Sequence, residues 1–270
     1  MNKYIYAFIL VLFFQLNASS QKKEITIVSW NIADFGKEKS TNEIEKIATI
    51  LKDYDIIAIQ EVVAGYGGAQ AVARLSEELN RKGTKWSYVV SNPTNSPKYL
   101  LERYAFIWKN KHIKIKNRGA LLSDLATVID REPFVIDFYF NKKKFTIINY
   151  HARNFKKRPE DEIQPLLAYI AKNIKTPVIL AADFNKKSND SIFESFKKQG
   201  FIQALKNKRT TLKRKCVKDN YLNYPIDNIF YSKHFTIIKA KPIDFVKYCD
   251  NLTNARMLSD HLPVLIRVKI

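Results

Sequence analysis

The chain has 270 residues, 46% hydrophobic and 27% charged, with 46 Lys+Arg against 26 Asp+Glu for a formal net charge of +20. That length and apolar content suffice for one large α/β domain with a sizeable core, and no Gly-, Ser- or Pro-rich linker, repeat or low-complexity tract divides it. The positive excess, dense at Lys142-Lys143-Lys144, Lys156-Lys157-Arg158 and from Lys206 to Lys218, suits a polyanion such as nucleic acid better than a zwitterionic lipid.

At the N-terminus Lys3 precedes an apolar stretch from Tyr4 to Phe14 and the small residues Ala18-Ser19-Ser20. This is the pattern of a secretory signal peptide over residues 1–20, leaving 21–270 as a single domain that is secreted or periplasmic. The stretch is short for a membrane span, and no later segment is apolar enough to cross a bilayer, so no membrane insertion is expected.

Residues 25–30 alternate and are β-branched, predicting a first strand. Ile44, Ile47, Ala48 and Leu51 fall at helical spacing within Thr41 to Lys52, with Thr41 or Asn42 as cap. Ile56 to Gln60 is a continuous apolar run, as in a strand buried on both faces. A second helix is expected from Ala69 to Asn80, ended by Gly83. Trp86 to Ser91, Tyr104 to Trp108, Pro133 to Phe140 and Lys144 to Tyr150 read as strands, the last two joined by a turn at Asn141-Lys142-Lys143. Helices follow at Asp161 to Asn173 and at Asp190 to Lys198, the latter stopped by Gly200, with a buried strand from Val178 to Ala181 between them. Ile226 to Tyr231, Phe235 to Ala240 and Leu262 to Val268 complete the strands. The hairpins exclude a strictly alternating βα barrel and favour two sheets packed face to face with helices outside. Cys216 and Cys249, the only cysteines, predict a disulfide in an exported protein, worth about 3–4 kcal/mol in the chain-entropy model.

Polar residues abut the strands at Trp30-Asn31, Gln60-Glu61, Asn149-Tyr150-His151, Asp183-Phe184-Asn185, Asp227-Asn228 and Ser259-Asp260-His261. They carry hard oxygen ligands, imidazoles and carboxylates that orient them, which together predict hydrolysis at a hard divalent cation. Glu61 at the end of an apolar run calls for a counter-charge or metal, and Asn31 offers a neutral oxygen ligand or a donor to phosphate. Asp183 and Asn185, two apart at a strand end, are expected on the same side, where the carboxylate could take a proton from water while the amide holds it in line. Asp260 and His261 are adjacent and aim differently, so one can serve metal and the other phosphate. Glu102 and Asp227 are the carboxylates available to orient the two imidazoles. His112 and His234, in Lys-rich turns, read as surface histidines.

In register, Ser29-Trp30-Asn31-Ile32, Ile59-Gln60-Glu61, Glu102-Arg103-Tyr104, Arg131-Glu132-Pro133, Asn149-Tyr150-His151-Ala152-Arg153, Ala182-Asp183-Phe184-Asn185, Ile226-Asp227-Asn228-Ile229-Phe230 and Ser259-Asp260-His261-Leu262-Pro263-Val264 resemble the endonuclease/exonuclease/phosphatase superfamily, in its deoxyribonuclease I branch. The resemblance implies a four-layer α/β sandwich, with two packed, mainly antiparallel or mixed sheets flanked by helices. It implies metal ligation by Glu61, Asn31 and Asp260, pairing of His151 with Glu102 and of His261 with Asp227, and water activation by Asp183 and Asn185. Arg131, Arg103 and Arg153 would meet phosphate or nucleic acid. The branch has an arginine where this chain has Val63 and a tyrosine where it has Leu100, so recognition of the double helix is expected to be weaker or rearranged.

The reading is therefore a secreted, monomeric, Mg2+-dependent endonuclease of low sequence specificity, preferring DNA to RNA, with Mn2+ as an alternative and Ca2+ as a structural or co-activating ion. The competing readings are a phosphodiesterase or phosphatase on lipid or inositol-phosphate headgroups in the same fold, and a non-catalytic polyanion binder.

Overall fold

The computed structural model describes residues 22–270, so the leader expected over 1–20 lies outside the described residues. One sheet holds, in spatial order, β14 (Thr236–Pro242), β15 (Val264–Lys269), β1 (Ile25–Phe35), β2 (Ile56–Val63), β4 (Glu102–Lys109) and β3 (Trp86–Val90). The other holds β10 (Phe201–Gln203), β13 (Asp227–Ser232), β9 (Val178–Asp183), β8 (Lys143–His151), β7 (Phe134–Phe140) and β5 (Ile113–Ile115), with β6 (Ala120–Leu121) also on β7. A separate hairpin pairs β11 (Leu212–Val217) with β12 (Asn220–Leu222).

Period-two alternation sorts the apolar side chains into layers. Ile56 and Ala58 of β2 join Ile179 and Ala181 of β9 in the core between the sheets, around Phe106, Phe138 and Phe145. Ile57 and Ile59 face the other way, onto Ile44, Ile47 and Leu51 of α1 (Thr41–Leu51) and Val72 and Leu75 of α2 (Tyr66–Arg81). On the second sheet Leu180 and Ala182 meet Ile163, Leu166 and Leu167 of α3 (Glu160–Asn173). Phe184, Phe193, Phe196 and Phe230 continue that layer towards α4 (Glu194–Lys198). The result is helix, sheet, sheet, helix: the four-layer α/β sandwich.

Strand direction gathers the polar residues at one edge. β1 runs parallel to β2, and β8 parallel to β9, so the exits of all four lie on the same side. β4 enters antiparallel to β2 with Glu102 opposite Val63, and β13 enters antiparallel to β9 with Asp227 opposite Asp183.

Several elements differ from expectation. β1 continues to Phe35 and β2 to Val63, so Asn31 and Glu61 lie within strands rather than beyond them. The register slips there, between Asn31 and Phe35 on one side and Ile59 and Val62 on the other, and Glu61 takes a left-handed φ of 59°. Such a bulge re-aims one side chain without ending the strand. α1 is capped by Ser40, not Thr41 or Asn42: Ser40 Oγ accepts from the Glu43 N–H while Glu43 reaches back to the Ser40 N–H, a reciprocal capping box. α2 begins at Tyr66, because Gly67 and Gly68 allow close approach to Lys37 and to Val63 at the end of β2 rather than breaking the helix. The segment from Asp190 begins as a short 3-10 turn, Ser191–Phe193, before α4. Part of the basic stretch from Lys206 to Lys218 is β11, and α5 (Leu252–Leu258), unforeseen, leads into Ser259. Cys216 and Cys249 are bonded, with Cα atoms 5.7 Å apart, tying the β11–β12 hairpin to the segment before α5.

A Cβ at Gly68 would lie 1.9 Å from the Val63 carbonyl oxygen. Gly68→Ala should therefore destabilise the fold by about 3 kcal/mol, measured as a lower urea midpoint with unchanged slope.

Candidate active site

The bulge at Glu61 turns its carboxylate towards the second sheet, where Asn31 links the two. Asn31 Nδ2 donates to Glu61 Oε1 at 2.8 Å and to Asp183 Oδ2, across the sandwich, at 3.1 Å. Beneath it Gln60 Nε2 donates to Asn149 Oδ1 at 2.6 Å and to Ser29 Oγ at 3.1 Å, and Asn149 Nδ2 donates back to the Ile59 and Ala105 carbonyls at 3.0 and 3.2 Å.

Two imidazoles flank Asp183, each backed by a carboxylate. His151 Nδ1 lies 3.1 and 3.0 Å from the Glu102 oxygens, leaving Nε2 3.6 Å from Asp183 Oδ2 and 3.9 Å from Glu61 Oε1. His261 Nδ1 lies 3.0 Å from both Asp227 oxygens and 3.8 Å from Asp183 Oδ2. Burial and the Arg131 charge oppose a proton on His151, but Glu102 and Asp183 outweigh them and its pKa is raised. For His261, burial is overcome by Asp227 and Asp183, and the pKa is pushed up to about 10. Both rings are therefore biased towards the protonated form, His261 the more strongly.

Asn185 does not share a strand face with Asp183. It lies past the end of β9 with a φ of 49°, its N–H donates to Asp183 Oδ1 at 2.9 Å, and its Nδ2 donates to the Ala152 carbonyl at 3.0 Å. The Asx-type turn both orients Asp183 and bridges to the exit of β8. Asp260 sits at the rim, 3.6 Å from Arg256.

The three arginines depart from expectation: their donors are committed to the protein. Arg131, buried, donates from Nε to the His151 carbonyl at 3.2 Å and from Nη2 to the Ala152 carbonyl, with Nη1 3.7 Å from Glu102. Arg103 donates to the carbonyls of Ala64 and Ser91 at 2.9 and 2.8 Å. Arg153 is 2.9 Å from Asp130 and 2.9 Å from the buried Glu162. The guanidiniums thus meet carbonyls and carboxylates behind the site, groups that burial would otherwise leave without donors.

Supporting residues escaped the sequence reading. Thr210 Oγ1 donates to Asp227 Oδ2 at 2.6 Å, from a basic loop that carries no local signal of that role. Tyr104 Oη donates to the Arg131 carbonyl at 3.1 Å and accepts from the His151 N–H at 3.2 Å. Ser259 Oγ donates to the Asn31 carbonyl at 2.6 Å and accepts from the His261 N–H at 3.0 Å. Lys39, buried, donates to the carbonyls of Met257 and Leu258 at 2.8 and 3.0 Å, capping α5 just before Ser259-Asp260-His261. Burial lowers the pKa of its ammonium, while Glu43, Asp34, Glu61 and Asp260 draw it upward, so the acid groups surround this lysine.

The donor set fits a hard divalent cation. Asn31 Oδ1 is buried and has no hydrogen-bond partner, an orphaned oxygen beside the part-exposed carboxylate of Glu61. Asp183, Asp227 and His261 also converge, but Asp227 and His261 satisfy each other. Cys216, Asp219 and Cys249 converge as well, though both sulfurs are in the disulfide.

Residues 28–261, nearly the whole described chain, match the endonuclease/exonuclease/phosphatase family. The chain belongs to that family. A protein named deoxyribonuclease from Thioalkalivibrio sp. (strain K90mix) is 29% identical over 125 residues, which make up 46% of this chain and 33% of that one, so the match spans about a third of the relative's length. The mannosyl-6-phosphatase Bt3783 of Bacteroides thetaiotaomicron is 15% identical with a TM-score of 0.66, covering 91% of this chain and all of that one. D. rerio TDP2, solved with a single-strand DNA product, is 14% identical with a TM-score of 0.63, covering 92% of this chain and all of that one. This family member thus shares its fold with proteins of different substrates, and its own must be argued from the site.

Lys39→Met leaves two helix-terminal carbonyls buried without a donor. It should cost about 2–3 kcal/mol in unfolding free energy and weaken metal binding by calorimetry, because the segment carrying Asp260 loosens. A second outcome concerns pH. A raised folded pKa means that the His261 pair contributes its full stability below about pH 6.5 and loses it as pH climbs towards about 10. In chelator, the melting temperature of the wild type should fall across that window, and Asp227→Asn should flatten the fall.

Proposed function

We propose that this protein is an exported, monomeric, divalent-metal-dependent nuclease that hydrolyses phosphodiester bonds in nucleic acid, DNA before RNA, with low sequence specificity. The observation that carries the reading is the pair of carboxylate-backed imidazoles facing one buried carboxylate, His151 at 3.6 Å and His261 at 3.8 Å from Asp183 Oδ2. The chain's formal charge of +20 and the likeness to a deoxyribonuclease support nucleic acid as the substrate.

Asn31, Glu61 and Asp260 would hold the ion, Mg2+ or alternatively Mn2+, with Ca2+ as a structural or co-activating partner. When bound it would supply positive charge against a non-bridging phosphate oxygen. The protein's own groups do the rest. His261, with Nδ1 tied to Asp227, presents Nε2–H to the phosphate as a fixed cationic donor rather than as a base. His151, with Nδ1 tied to Glu102, turns its Nε2 towards the same place from the other side. Asp183 receives the proton of the attacking water, and its other oxygen is held by the Asn185 N–H. Arg131, 3.7 Å from Glu102, keeps the end of β8 in place through the His151 carbonyl.

Supercoiled plasmid with Mg2+ should be nicked by the wild type and not in EDTA. Asp183→Asn and the double variant His151→Ala/His261→Ala should each lower kcat by about a thousandfold with the thermal transition retained. A double variant that nicks as fast as wild type would sink the mechanism. Release of phosphate from sugar or inositol phosphates without any nicking would instead favour the phosphatase reading, to which the likeness to the mannosyl-6-phosphatase lends some support. Binding to DNA should weaken steeply with salt, since each neutralised phosphate releases condensed counterions.

A further inference from the structure

We propose that the cavity beside His261 receives an unpaired base, making single-stranded DNA the preferred substrate. This rests on the nuclease reading above and concerns the same cleft. A cavity of about 820 Å³ opens next to the catalytic edge, with His261, Asp260 and Asn185 on one side and Phe155, Tyr224 and Arg214 among the residues beyond them. Its size falls in the range of roughly 300–1,000 Å³ that encloses small organic ligands.

The two rings reach it from opposite directions. β9 lies between β8 and β13, so the segment leaving β8, which carries Phe155, and the segment entering β13, which carries Tyr224, flank the loop that leaves β9. Both rings are left in solvent, Phe155 61% and Tyr224 49% exposed, although each backbone is fixed. The Tyr224 carbonyl accepts from the N–H groups of Thr210 and Thr211 at 2.8 and 3.1 Å, and its N–H donates to Thr211 Oγ1 at 2.8 Å. Phe155 follows Asn154, whose side chain caps the turn by accepting from the Lys156 N–H at 3.1 Å. The hairpin before Tyr224 is tied down by the Cys216–Cys249 bond.

Charge is arranged to match. The Lys187 ammonium sits over one face of the Tyr224 ring, 5.9 Å from its centre, and among the described residues neither it nor Arg214 pairs with a carboxylate, whereas neighbouring Lys186 is taken by Glu160 and Asp190. Aromatic faces with free cations beside them are the elements of a single-strand site: rings stack on any base, and cations follow the phosphates. In a duplex both faces of every base are already covered, and filling this cavity would require extruding a nucleotide at a cost of a few kcal/mol. A single strand presents its bases at far smaller cost.

The test uses one oligonucleotide sequence as single strand and as duplex, cut with Mg2+ by the wild type, Phe155→Ala, Tyr224→Ala, the double variant and Tyr224→Trp. The wild type should show kcat/KM about tenfold higher on the single strand, and the double variant should bring the single-strand-to-duplex ratio down to about one, since stacking contributes roughly 1–3 kcal/mol per base. Tyr224→Trp should keep the preference. In EDTA, a single strand bearing 2-aminopurine should change its fluorescence on binding the wild type and not the double variant. Wild-type preference for duplex, an equal loss on both substrates, or a fluorescence response that survives loss of both rings would each overturn the base pocket. If the wild type cuts neither form, the nuclease reading fails, and the fluorescence titration alone decides whether an unpaired base binds.

Discussion

The hydrogen bond from Asn31 to Asp183 joins the two sheets at the edge where the catalytic side chains meet, and the site depends on it. Aliphatic packing between sheets is strong but non-directional, and it would tolerate a sliding offset of an ångström or more. Polar bridges do not. Asn31 to Asp183 and, one layer below, Gln60 to Asn149 span the sandwich with short, directional contacts whose loss would strand buried polar atoms. Fixed in this way, Glu61 and His261 at the edge of the first sheet and Asp183 and His151 at the edge of the second hold their separations, which matters because small misplacements of reacting groups lower rates steeply.

Electrostatics explain why so much of the support lies inside the protein. Glu61, Glu102, Asp183, Asp227 and Asp260 crowd one edge, and self-repulsion would open it without internal cations. Protonated His261 supplies one, Arg131 another and Lys39 a third from beneath, and the same carboxylates raise the pKa of His151. The guanidiniums that family likeness assigns to phosphate therefore face inward here, where they also satisfy carbonyls at the exits of strands. Lys187 and Arg214, which have no carboxylate partner among the described residues, line the cavity beside His261 instead.

Much of this was legible in the residues. Alternation and continuous apolar runs located the main strands, because burial on one or both faces leaves a direct imprint on spacing, as in β2 and β9. The polar residues at strand ends pointed to one edge for the same reason. What spacing could not reveal was backbone geometry that no periodicity encodes: the bulge that turns Glu61, and the left-handed turn that takes Asn185 off the strand. The expected helix starts only at Ala69 because helix propensity opposes glycine, whereas close packing of Gly67 on Lys37 and of Gly68 on Val63 favours it. Thr210 and Lys39 were invisible because a lone hydroxyl or amine in a polar loop acquires meaning only from what folds against it.

The groups at this edge are drawn from Asn31 near one end of the fold to His261 near the other, and β1 hydrogen-bonds to β15, the last strand. Fraying of β15 would therefore withdraw a partner from the first strand and disturb the adjoining His261 ring at once, so the integrity of the sheet and the completeness of the edge rise and fall together.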